Sequence, residues 1–276
     1  MFHPSSPIGV IDSGVGGFSV ARQVRKLLPH EDLLYMGDGG NPMYGGRSEE
    51  EILTMTRHML RFMEDREIKV LLVACNTISC LIPRFQEELS CPVFSVVQAG
   101  GRAAAALPQV KKLAVLSTVF TARSGMYPRL IGRLAPEKQV ISRPCPNLAA
   151  LVELVVNDPG MRPLIETDLR DDLDDLVNEE HVDCCLLGCT HYPLVEDIIH
   201  SLYPDLFLLD PAFQMAETLK EYLERTGMNN RQEQPGRMDV FTTGSVTEYA
   251  QKAARVGLEP LTSVQYYPPL KLESVK

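Results

Sequence analysis

The sequence has no excess of positive charge: 27 lysines and arginines stand against 36 aspartates and glutamates, a formal net charge of −9. No Lys/Arg-rich run interrupts that acidity, which argues against nucleic acid or any partner gripped through a phosphate backbone. Long hydrophobic runs are missing too. No segment approaches the roughly 18 uninterrupted apolar residues of a membrane helix, and the start MFHPSSPIGVIDSG has no basic region leading into an apolar signal core. The expectation is a cytoplasmic protein with no membrane partner. The seven cysteines are odd in number and sit in apolar or Gly/Thr-rich surroundings rather than at the spacings of a disulfide framework, so reduced thiols are expected. Metal-ligand spacing is absent as well, since Cys189 and His191 form a CxH pair with no second CxxC or HxxH. There is no GxGxxG and no GxxxxGK[ST], so nothing favours a dinucleotide or ATP. A metal is not expected.

What is present is enough apolar material, 45% of 276 residues, for one large domain or two ordinary ones. Short apolar runs bounded by Gly, Pro or Asp recur at 8–12, 32–38, 69–77, 92–97, 112–118, 184–190 and 205–210, with one more at 238–243 after the polar turn NNRQEQPG at 229–236. They read as buried strands of parallel sheet. Helix-like stretches lie between them at 19–28, 48–64, 78–89, 123–134, 147–156, 165–180, 195–202 and 214–225. Strand alternating with helix predicts an α/β fold with right-handed crossovers. The tail from Tyr266 reads as a docked or frayed end.

A duplicated plan shows in ACNT (74–77) and GCTH (188–191), each closing a strand and preceding a helix. Both place a cysteine past a strand's carboxyl end, where open α/β sheets bind ligands. There the dipole and free N–H groups of the helix would favour a thiolate, and a thiol with an ordinary pKa of about 8.5 needs a modest downward shift to act as a base near neutrality. Cys75 and Cys189 are therefore the candidate acid/base pair. Free cysteine is more often a small buried hydrophobe, the reading given to Cys80, Cys91, Cys145, Cys184 and Cys185.

Asp12-Ser13-Gly14-Val15-Gly16-Gly17 follows the first strand and suits close backbone approach to an anion, with Asp12 placed to orient a neighbour. The turn at 37–46, containing Tyr44 and Gly45, is either a binding loop or a plain surface loop. His191 is either a core histidine or, beside Cys189, a general acid/base.

Taken together, DSGVGG (12–17), the GD…YG loop (37–45), ACNT (74–77) and GCTHYPL (188–194), in that order and spacing, resemble the glutamate racemase family. Weaker echoes at 116–127, 151–153, 210–212 and 241–245 extend the likeness from Ile8 to about Ser245. The resemblance implies two similar α/β domains with mainly parallel sheets and the active site in the cleft between them. The first domain, discontinuous, would take 1–98 and 210–276, and the second 99–209. It implies Cys75 and Cys189 as catalytic thiols assisted by Asp12 and His191, and Ser13, Tyr44, Gly45, Asn76, Thr77, Thr118, Glu153 and Thr190 as substrate-binding groups. It also implies racemisation of L-glutamate to D-glutamate for peptidoglycan, without pyridoxal phosphate or metal. The partner would be the amino acid, with a homodimer as the candidate assembly.

The family's usual loop, GDTARxPYG, here reads GDGGNPMYG, so Gly39 and Asn41 replace its Thr and Arg. That departure keeps open an aspartate or other small-acid racemase of the same superfamily. A catalytically silent binding protein would have no need of two strand-end thiols, and a one-cysteine hydrolase would leave the second unexplained.

Overall fold

Each of the first apolar runs is buried along its whole length, as parallel strands covered by helices on both faces must be. The computed structural model describes residues 3–41 and 44–270. Its strands are β1 (Ile8–Asp12), β2 (Leu33–Gly37), β3 (Val70–Val73), β4 (Val93–Ser95), β5 (Lys112–Ser117), β6 (Gln139–Pro144), β7 (Cys184–Gly188), β8 (Phe207–Leu209), β9 (Met238–Thr242) and β10 (Ser263–Tyr266). Its α-helices are α1 (Phe18–Leu27), α2 (Glu49–Glu64), α3 (Asn76–Ser79), α4 (Val96–Ala106), α5 (Val119–Ser124), α6 (Met126–Leu134), α7 (Leu148–Asn157), α8 (Arg162–Asn178), α9 (Glu196–Leu202), α10 (Pro211–Thr226) and α11 (Val246–Arg255).

Two all-parallel sheets result, one ordered β10-β9-β2-β1-β3-β4 and the other β6-β5-β7-β8. The run β2-β1-β3-β4 has the same order as β6-β5-β7-β8, so β3 and β7, the strands before the two cysteines, occupy equivalent places. The duplicated plan in the sequence is thus a duplicated topology, with β9 and β10 added at the free edge beside β2. The chain passes between sheets twice, through α4 and α10, and these crossovers pack on each other while α10 also packs on α1. Apolar clusters fill both faces of the first sheet, with Val10, Leu72 and Leu219 in one and Ile11, Met59 and Val73 in the other. Two more flank the second sheet, around Leu116 and Leu173 and around Val115 and Ile131.

Several sequence expectations need correction. The stretch 78–89 is no continuous helix: α3 stops at Ser79 and short 3₁₀ turns follow, with Pro83 in the first of them. The helix expected at 123–134 begins earlier and is divided at Gly125, whose φ of 62° is left-handed. The run 92–97 gives up its last two residues to α4. β6, β10, α4 and α11 were not foreseen. β6 and β10 are half-exposed edge strands without a continuous apolar signature. The tail is docked as far as described, with the Tyr267 ring packed against Phe62 and His58, while 271–276 lie outside the described residues.

Candidate active site

β3 delivers Cys75 as the N-cap of α3, and β7 delivers Cys189 into a turn that continues as a 3₁₀ segment at Tyr192–Val195. Both thiols line one cavity of about 450 Å³, which draws its walls from both sheets. Eleven of the twelve residues expected from sequence line it: Ser13, Tyr44, Gly45, Cys75, Asn76, Thr77, Thr118, Glu153, Cys189, Thr190 and His191. The twelfth, Asp12, is fully buried outside that lining. Its carboxylate accepts from Gly14 N at 2.9 Å and from Thr190 Oγ1 at 3.2 Å. Between Asp12 and Cys75 comes Ser13, whose Oγ is 3.5 Å from the Cys75 sulfur.

Contacts across the two sheets hold the cavity together. Thr77 and Thr118 hydroxyls meet at 3.0 Å, and Tyr127 OH donates to Asn76 Oδ1 at 2.7 Å. The glycine-rich turn permits close approach: a Cβ at Gly16 would lie 2.4 Å from Thr190 Oγ1, and one at Gly45 2.6 Å from Thr118 Cβ. Tyr44 is anchored by donating to Asp38 Oδ2 at 2.5 Å, and Thr243 Oγ1 donates to the same carboxylate. Within the altered loop, Gly39 lines the cavity against the Tyr249 ring and Gly40 N donates to Thr243 Oγ1. Pro42 and Met43 lie outside the described residues.

The two thiols have different surroundings. Burial, then the charge of Asp12, pushes the Cys75 thiol up to about 12, with Ser13 opposing. The expected downward pull of a helix dipole is overruled because α3 has only four residues, too few aligned peptides to offset lost hydration. Cys189 instead has His191, Nδ1 to Sγ 3.7 Å. Burial works against an imidazolium at His191, but hydrogen bonds to Cys189 and Glu153 outweigh it and raise the imidazole well above its ordinary range. Glu153 Oε1 is 2.9 Å from His191 Nε2. Burial opposes that carboxylate's charge as well, yet His191 and then Lys252 hold it down at about 2. One side is a sequestered thiol and the other a thiol backed by a charged relay, which suits an acid on one face and a base on the other.

Sequence reasoning missed the wall contributed by α11, namely Glu248, Tyr249 and Lys252, with Ser245 at its N-cap. The signal was there, since Ser245 caps Glu248 N in the S-x-x-E spacing that opens helices. It also missed Ala149, Ala150 and Leu154 on α7. Among the described residues no group of three His, Cys, Asp or Glu is placed to hold a metal, and no helix is long and apolar enough to cross a membrane.

The all-parallel α/β fold thus brings a strand-end thiol from each of its two sheets onto one cavity. Residues 19–218 match the Asp/Glu/Hydantoin racemase family, and the chain belongs to that family. A glutamate racemase of Syntrophus aciditrophicus is 36% identical over 252 residues, covering 90% of this chain and 92% of that one. The crystal structure of a glutamate racemase isoform from Bacillus anthracis superposes with a TM-score of 0.89 at 34% identity, covering 98% of this chain and all of the other. That of a Francisella tularensis glutamate racemase in complex with D-glutamate superposes at 0.86 with 26% identity, covering 96% and 98%.

Proposed function

We propose that the protein interconverts L- and D-glutamate without a cofactor, Cys75 and Cys189 serving as acid and base on opposite faces of the α-carbon. The observation that carries this reading is the placement of both strand-end thiols on one cavity, each from the equivalent strand of its sheet. The named relatives support glutamate as the substrate, one of them with D-glutamate bound.

In the forward turn Cys189, as thiolate beside the His191 imidazolium, takes the α-proton, and Cys75, kept as a thiol by burial and by Asp12, protonates the other face. Each turn leaves the opposite state, Cys75 thiolate and Cys189 thiol, which is the state the reverse reaction needs. The α-proton of an amino-acid zwitterion is weakly acidic, so the carbanion needs preorganised donors around its carboxylate in a site with little water. Ser13, Asn76, Thr77 and Thr118 are the donors we assign, with Tyr44, Gly45 and Thr190, whose hydroxyl goes to Asp12, forming the wall. Glu153 has both oxygens engaged, so we place it behind His191. We take 1–98 with 210–276, and 99–209, as two domains joined at α4 and α10, with product supplied to peptidoglycan in a bacterial cytoplasm.

Circular dichroism of purified protein with L-glutamate, and separately L-aspartate, tests this. Decay of the glutamate signal to zero is expected. Decay with aspartate alone would move the specificity to the altered loop at 39–43, and no decay with either would refute the activity.

A further inference from the structure

Helix α11, from the first-sheet half of the chain, lines the cavity together with α7 of the second, and polar contacts tie them. Lys252 Nζ donates to Glu153 Oε2, and Arg255 Nη1 donates to Val156 O at 2.7 Å and to Asn157 Oδ1 at 3.1 Å. Lys252 is the one lysine or arginine among the described residues lining the cavity, and its side chain is only 12% exposed. Its partner is no ordinary surface carboxylate. The other oxygen of Glu153 meets His191, which in turn meets Cys189, so Lys252, Glu153, His191 and Cys189 form one line of contacts from α11 to the Cys189 sulfur.

A lysine spent only on tying two helices has no need of the carboxylate that orients the histidine. Arg255 already makes that tie through a backbone carbonyl and an asparagine, away from the cavity. A carboxylate behind an imidazole fixes its tautomer and ring orientation, and such support matters most when the carboxylate is itself held. Parting α11 from α7 would release Glu153 Oε2 and leave its orientation to the single contact with His191.

Building on the racemase reading, we propose that Lys252 is a positioning residue: it holds Glu153, and through it His191, in the geometry that serves Cys189, and does so only while α11 and α7 are together. Closing of the cleft and readying of the Cys189 side are then one event. Cys75, reached from Ser13 and Asp12, has no share in this line.

The test uses Lys252→Met, Lys252→Arg and Arg255→Ala, assayed with α-deuterated L-glutamate and α-deuterated D-glutamate after wild-type racemisation has been established. Without wild-type turnover the racemase reading itself fails, a result distinct from every outcome with the variants. Lys252→Met is expected to lower kcat about tenfold or more, the size of a lost supporting contact behind a catalytic group. Because only the Cys189 step is slowed, the isotope effect on kcat/KM should rise for the enantiomer whose proton that thiol removes and fall for the other. Lys252→Arg should restore much of the rate, and Arg255→Ala should raise KM while leaving both isotope effects as in wild type. Equal isotope changes for the two enantiomers in Lys252→Met, or wild-type kinetics in that variant, would overturn the proposal.

Discussion

Asp12 accepts a hydrogen bond at 3.2 Å from Thr190, a residue 178 positions further along the chain. Asp12 ends the strand beside β3, whose next residue Ala74 donates to Ile11 O, and Thr190 directly follows Cys189. One buried carboxylate thereby fixes the spacing between the two cysteine turns. Substituting Asp12→Asn keeps the shape but removes the charge that helps keep Cys75 protonated, and puts an amide where the acceptor of the Thr190 hydroxyl lies. A loss of about 10² to 10³ in kcat, with far-UV circular dichroism unchanged, is the expected outcome, since correct placement of an acid/base group is worth about that much.

Gly16→Ala places a methyl group 2.4 Å from Thr190 Oγ1 and 2.9 Å from His191 Nδ1, both on the turn carrying Cys189. That turn must shift for the methyl to fit, and a displacement of about 1 Å costs on the order of 10² in rate. Steady-state kinetics should show this loss, while the melting temperature falls by only a few degrees.

Lys69 and Glu31 form a buried pair at 2.5 Å, and the lysine also donates to Pro4 O and Met228 O. Lys69→Met leaves a buried carboxylate whose remaining partner among the described residues is the Asn230 amide, at a cost of about 3–5 kcal/mol. Urea unfolding should show that loss, and the protein that remains folded should keep its turnover number because neither residue of the pair lines the cavity.

Glu153 carries a pH signature. Its carboxyl is held at about 2 against an ordinary 4.5, so the folded state favours the charged form. That contribution is complete above pH 4.5 and is lost as pH falls toward 2. It amounts to at most about 3 kcal/mol, less whatever solvent screens from a side chain 26% exposed. The stability gap between wild type and Glu153→Gln, measured by urea unfolding, should therefore be wide at pH 7 and narrow at pH 3. A gap constant with pH would contradict the assignment.

The buried strands were legible because parallel sheet covered on both faces leaves unbroken apolar runs, and the two cysteine motifs because they sit where such strands end. α11 was harder to see, since it buries little more than Tyr249 and Ala253 and looks polar in isolation. With it went Lys252 and the knowledge that Glu153 is shared. The division at Gly125 and the short α3 were hidden for another reason: they follow from packing across the two sheets, where Thr118, Thr77, Asn76 and Tyr127 meet. The raised Cys75 thiol could be known only once its burial was.

The two-thiol scheme is tested most directly by running the enzyme in D2O with protiated L-glutamate and stopping at a few per cent conversion. Two separate acid/base groups predict that D-glutamate carries solvent deuterium at the α-carbon from the first turnover while the remaining L-glutamate stays protiated. D-glutamate that retains the substrate's own proton would mean one group acting on both faces, and would contradict the pairing of Cys75 with Cys189.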